Sequence, residues 1–230
     1  MEKKKKLKNT RKMVTLSMMA ALAYIFMFVS KMVNLVFIPS LPFLSYDPKD
    51  IVITIAGFIY GPMSALIISV VVAAVELVTV STTGPIGFLM NVLATGGFTV
   101  TAAYIYKVNK TRTGAIISLA CAVLMLTALM SLWNIIVTPI FMGVPRPVVI
   151  AMLLPGFIPF NILKGTLNAA FILILYKPVV GAIRKAGLLE SSASQTEEEN
   201  NPSLLQSSLV LGLALAVIVI LILLLIKYFN

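Results

Sequence analysis

The chain has 230 residues, of which 60% are hydrophobic and 11% charged, with a formal net charge of +10. Soluble domains are about 45–50% apolar and about 25% charged, and disordered chains are poorer still in apolar residues, so both classes are excluded. There is no histidine and one cysteine, Cys121, which excludes His-dependent catalysis, a disulfide framework and a Cys-based zinc site.

The charges are clustered. Residues 1–12 carry Glu2 and seven basic residues, residues 107–112 carry Lys107, Lys110 and Arg112, and residues 177–185 carry Lys177, Arg184 and Lys185. A nucleic-acid binder lines one face with cations; here the cations fall between apolar runs, the layout of cytoplasmic membrane loops, so no nucleic-acid partner is expected. The expected partner surface is the lipid bilayer.

In chain order, residues 1–12 form a basic cytoplasmic N-terminus. Met13–Ser30 is uncharged and too long for a signal peptide, so it reads as a retained first crossing. Ile51–Tyr106 contains a single charge, Glu76. Basic clusters at both 1–12 and 107–112 place both ends inside, so an odd number of crossings follows the first; 56 residues hold three, broken at Gly61-Pro62 and at Ser81–Pro85. Gly114–Met142 is the fifth crossing, ended by Gly143-Val144-Pro145-Arg146-Pro147, and a sixth runs from about Gly156 to Tyr176. The segments counted as inside carry 13 Lys and Arg; those counted as outside carry Lys31, Lys49 and Arg146. The expected fold is all-α: a polytopic membrane protein with a six-helix core over residues 13–187. An acidic polar linker over 188–202 and an extra transmembrane helix and tail over 203–230 follow it.

Residues 34–50, NLVFIPSLPFLSYDPKD, are unusually apolar for a loop. Asp47-Pro48 is a helix start, and the helix from there to Tyr60 is roughly 20 Å long, too short to cross about 30 Å of hydrocarbon. The preceding loop therefore dips into the protein, since irregular backbone at that depth must be buried in protein or line a cavity.

Polar groups inside the spans are candidate functional residues. Counting rise per residue places Glu76, Asn91, Trp133-Asn134, Asn161 and Lys164 at one level in the outer half, with Asn91 about 8 Å and Asn161 and Lys164 about 8–12 Å below the surface. Asn161, Lys164 and Asn168 share one helix face. Asn supplies donor and acceptor, Lys supplies donors, and Trp, Tyr and Phe supply stacking faces, which together suit a small aromatic molecule bearing several hydroxyls. Two plainer readings stay open: the Asn side chains bond neighbouring helices, or Lys164 pairs with Glu76. On helix 1, Ser17, Ala20, Ala21 and Ala23 are small residues that permit close approach of a partner helix, or packing inside the core.

With these residues in view, residues 10–187 resemble the riboflavin-binding S components of the energy-coupling factor (ECF) vitamin transporters. The resemblance rests on the basic start, the Ala-rich first helix, Leu41-Pro42-Phe43-Leu44-Ser45-Tyr46-Asp47-Pro48 leading into Asp50, Gly61-Pro62, Gly84-Pro85 with Asn91, Trp133-Asn134, and Asn161-Ile162-Leu163-Lys164. It implies a non-catalytic protein with no cofactor, binding riboflavin near the outer surface beneath loop 1. The partners it implies are a transmembrane coupling subunit and two ABC-type ATPases that drive inward release. It maps Asn134, Asn161 and Lys164 onto ligand-contacting positions, places Leu44, Ser45 and Tyr46 in the lid, and makes the small-residue face of helix 1 the coupling-subunit contact. Glu76 and Asn91 join the ligand set by depth. Other vitamins, such as thiamine or a pantothenate-like compound, are the alternative ligands. No P-loop pattern occurs, so ATP hydrolysis belongs to a partner. Residues 188–230 lie outside the resemblance.

Overall fold

The computed structural model describes residues 2–38, 41 and 44–189. Its helices are α1 (Glu2–Val33), α2 (Lys49–Tyr60), α3 (Pro62–Thr79), α4 (Gly84–Val108), α5 (Arg112–Met142), α6 (Arg146–Ala151) and α7 (Ile158–Lys185), with a π turn at Leu153–Phe157 joining the last two. The expected extra helix over 203–230, and all of the acidic linker but its first two residues, lie outside the described residues.

The helix breaks follow local chemistry. Gly61 has φ +94°, a conformation that L side chains avoid, and Pro62 then opens α3 where its missing N–H costs nothing. Thr111 Oγ1 accepts the Gly114 N–H at 3.0 Å and caps α5. Gly143, left-handed at φ +66°, ends it. The expected gap before Gly156 is instead helical. Pro155 has no N–H to offer the preceding turn, and the chain widens there so that both Gly156 and Phe157 donate to the Met152 carbonyl, at 3.0 and 3.2 Å. Arg146–Lys185 thus forms one long apolar hairpin arm rather than a helix starting at 156.

Among the described residues, five segments are long and apolar enough to cross a membrane: Asn9–Val33, Pro62–Thr79, Gly84–Val108, Arg112–Met142 and Arg146–Lys185. The sixth helix of the core, α2, is short, about 18 Å. It is buried from Lys49 to Phe58 and packs against α1, α3, α4 and α7, so it has no lipid face. Gly57 makes this possible, because a Cβ there would lie 2.9 Å from Ala103 Cβ and 3.0 Å from Ala65 Cβ; three backbones meet at that point. Beyond it, the rings of Phe58 and Tyr106 stack at 4.2 Å, with Tyr176 edge-on at 5.8 Å, closing that end of the bundle. The outer helices bury one stripe and turn large apolar residues outward. On α1 the buried stripe is Thr15, Met19, Ala23 and Met27.

The described residues of loop 34–48 fold back into the protein, as the composition of the loop requires. Tyr46 N–H donates to Leu35 O at 2.8 Å, and Ser30 Oγ donates to Tyr46 O at 2.5 Å, which ties the loop to the end of α1. Ile38 and Leu41 are buried with Phe160, with Phe37, Leu44 and Met152 around them. The loop therefore carries its own small apolar cluster, seated on the start of α7.

Candidate functional site

The site lies where loop 34–48, the first turn of α2 and the first turns of α7 converge. The N-cap of α2 is Pro48, one residue later than expected, and Asp47 just before it accepts the Lys49 N–H through Oδ1 at 3.0 Å. That bond fixes the direction in which Lys49 and Asp50 enter the bundle.

Two buried charge networks result. In the first, Lys49 Nζ sits 2.7 Å from Asp47 Oδ2 and 2.9 Å from Glu76 Oε2, and Glu76 Oε1 in turn takes Lys31 Nζ at 2.7 Å. Lys49 is 1% exposed. An unpaired ion at such depth carries a penalty of several kcal/mol, which the paired carboxylates offset. Burial pushes the Asp47 carboxyl upward, but the Lys49 and Lys164 cations outweigh it and hold it below the usual carboxylate range. In the second network, Asp50 Oδ2 lies 3.5 Å from Lys164 Nζ and accepts from Asn168 Nδ2 at 3.3 Å. Tyr46 Oη donates to Asn168 Oδ1 at 2.7 Å. Burial, with Asp50 and Asp47 nearby, raises the Tyr46 phenol above its ordinary value, so the ring keeps its proton and remains a donor.

Each residue expected from the sequence can now be placed. Tyr46, Glu76, Asn134, Asn161 and Lys164 are buried; Leu44, Ser45 and Asn91 are half-buried. Ser45 forms an antiparallel bridge with Val36 in the lid. Asn161 Nδ2 donates to Phe157 O at 2.7 Å, which anchors it to the π turn. Asn134 Nδ2 donates to Met130 O at 2.7 Å and its Oδ1 accepts Thr138 Oγ1 at 2.8 Å, so its described bonds stay within α5 rather than reaching a neighbouring helix. Asn91 takes part in neither charge network. Trp133 is half-buried and packs against the core.

Three expectations need correction. Glu76 does not pair with Lys164; its cations are Lys49 and Lys31, and Lys164 lies by Asp50. Lys49 is not a loop charge in water, because α2 carries it into the bundle, and Lys31, though exposed, pairs with Glu76. On α1, Ser17 and Ala21 face outward and Ala20 is half-buried, but Ala23 is 0% exposed and belongs to the core. At about 100° per residue, Ala23 sits about 200° round the helix from Ala21, on the opposite side.

The residues missed outright are Lys49 and Asp50, with Lys31 in support; the sequence places Asn168 only by the face it shares with Asn161 and Lys164. A signal was present. Lys49 and Asp50 are a charged pair opening a helix that is otherwise apolar over 51–60, next to a loop already expected to be buried.

The arrangement offers a buried ammonium on Lys164, amide groups on Asn161 and Asn168, and a closed apolar lid. It can hold a small polar-aromatic molecule out of water. Among the described residues no cluster of His, Cys, Asp and Glu is suited to a metal ion.

Residues 11–176 match the family model described as ECF transporter, substrate-specific component. The chain belongs to that family. It is 26% identical over 189 residues to the riboflavin transporter RibU of Staphylococcus aureus, an alignment that takes in 80% of this chain and 97% of that one. It is 27% identical over 191 residues to the riboflavin transporter FmnP of Bacillus subtilis, covering 77% and 98%. A solved structure of the S component of a bacterial ECF transporter superposes with a TM-score of 0.64 at 27% identity, covering 76% of this chain and 99% of that chain. The protein is thus a membrane-embedded transporter component and not an enzyme.

Proposed function

We propose that this S component captures riboflavin and hands it to the cytoplasm with a transmembrane coupling subunit and two ABC-type ATPases. The single observation that carries the ligand reading is the buried Lys164 ammonium. It shares one face of α7 with Asn161 and Asn168, under an apolar lid whose Tyr46 bonds that same face. Such a face supplies donors to carbonyl and hydroxyl oxygens, while the aromatic residues of the lid offer stacking surface. The names of the relatives agree with this ligand. In this reading Leu44, Ser45 and Tyr46 cover the ligand, Asn134, Asn161 and Lys164 contact it, and Glu76 serves the site indirectly by fixing Lys49 and hence the start of α2.

The orientation follows from charge. Lys49 is buried, so the exposed cations at the lid end among the described residues are Arg146 and Lys31, the latter paired with Glu76, while the basic clusters lie at the other end. That asymmetry supports a cytoplasmic N-terminus with the lid outside. Ser17 and Ala21, small and exposed, form the face for the coupling subunit.

The test is a spectrum. Purified from cells in detergent, the protein shows the flavin absorbance bands, or quenches the fluorescence of added riboflavin once stripped. Colourless protein that leaves riboflavin fluorescence unchanged overturns the ligand reading, and thiamine or pantothenate binding by the same protein then names the alternative.

A further inference from the structure

We infer that Asp50 is the positioning residue for Lys164, with the Asn168 amide bracing the same carboxylate. This inference rests on the riboflavin reading above and deepens it.

Asp50 is 0% exposed, and its two oxygens are unequal. Oδ2 is shared between Lys164 Nζ at 3.5 Å and Asn168 Nδ2 at 3.3 Å; Oδ1 is buried with no hydrogen-bond partner among the described residues. A buried carboxylate oxygen without a partner is costly, and a packed core does not keep one without cause. A nearby amide or hydroxyl would satisfy it, yet both of its near polar neighbours crowd the other oxygen. The lysine stem is flexible and its ammonium is a point charge with three donors. An anion 3.5 Å to one side orients the ammonium by charge and leaves its hydrogens for another acceptor.

The carboxylate is itself held in place. Asn168 donates to Asp50 and accepts from Tyr46 Oη at 2.7 Å. Tyr46 thus fixes the Asn168 amide with its oxygen toward Tyr46 and its NH2 toward Asp50, which braces the Asp50 carboxylate beside Lys164.

The test is a double-mutant cycle on riboflavin affinity with the full chain, read by flavin fluorescence quenching. Lys164→Met weakens binding by about 10- to 150-fold, the loss of one charged hydrogen bond. If Asp50 acts through Lys164, Asp50→Asn weakens binding by about tenfold or more in the parent but by less than about threefold in the Lys164→Met background. Equal losses in the two backgrounds overturn the inference, as does parent-like binding by Asp50→Asn. Should Asp50→Asn not fold, Asp50→Glu decides. It keeps the charge but moves the anion by one methylene. Weakened riboflavin binding by the folded variant supports positioning, and parent-like binding shows that Asp50 only balances charge and overturns it. Failure of the unaltered chain to bind riboflavin overturns the ligand reading and the inference with it, whereas normal binding by the unaltered chain with additive losses overturns the inference alone.

Discussion

Replacing Lys49 by Met strips a buried ammonium from between two carboxylates while keeping the length of the side chain. Lys49 is 1% exposed and lies 2.7 Å from Asp47 and 2.9 Å from Glu76. Removing one partner of a buried ion pair costs about 3–5 kcal/mol, because the remaining charge is left without compensation. Two features place this case at the lower end. Glu76 keeps Lys31 at 2.7 Å, and that lysine's side chain is 35% exposed, so it is largely hydrated and readily available. Asp47 has lost its direct partner but still feels Lys164. A loss of about 3 kcal/mol corresponds to a fall of about 6–12 °C in melting temperature for a chain of this length. The assay is thermal unfolding of ligand-stripped protein in detergent, so that riboflavin does not enter the balance. Adding Asp47→Asn and Glu76→Gln to Lys49→Met removes the uncompensated charges and recovers most of the loss, since neutral replacement of a whole buried network is often tolerated. Asn at position 47 keeps an acceptor for the Lys49 N–H, so that bond at the start of α2 survives. A drop below about 2 °C for the single variant, less than 1 kcal/mol would produce, refutes the reasoning. A triple variant less stable than Lys49→Met refutes it too.

The remaining predictions separate the parts of the molecule. Ala21→Trp abolishes riboflavin uptake into cells while the purified protein binds flavin normally, because Ala21 is exposed on α1; Ala23→Trp lowers the yield of folded protein, because Ala23 is in the core, and the reverse result exchanges the two faces. Asp47 titrates below its ordinary value, so its share of the stability is whole above about pH 4 and is lost as pH falls through the lower folded value; melting profiles of Asp47→Asn lack that acid-side loss, and an unchanged profile counts against the Lys49–Asp47 pair. A chain stopping after Leu188 binds riboflavin as the full chain does, because each residue assigned to the ligand precedes that point; a large drop in affinity assigns residues 189–230 a part in binding.

Much of the architecture is legible without the structure. The hydrocarbon thickness sets a minimum length for a crossing, so runs such as Pro62–Thr79 and Gly84–Val108 identify themselves, and Gly61-Pro62 and Gly84-Pro85 mark their starts. The shortness of α2 and the inward fold of loop 34–48 follow from the same length argument together with the loop's apolar residues. The shared face of Asn161, Lys164 and Asn168 needs only the helical period.

Which charges meet was decided by tertiary packing. Depth along a helix comes from counting residues, but the direction in which a side chain points around the bundle depends on which neighbours the helix acquires. Glu76 and Lys164 lie at similar depth, yet α3 turns Glu76 to α1 and α2 and α7 turns Lys164 to the start of α2. Lys31 meets Glu76 across 45 positions of sequence, and Tyr46 meets Asn168 across 122. No local pattern encodes such pairs. Lys49 and Asp50 read as a hydrated helix start because charges beside a loop are usually solvated; only the surrounding of α2 by four other helices puts them out of water. Once there, electrostatics leaves little choice: an unpaired charge in that interior is too costly, so each buried cation is found with its carboxylate.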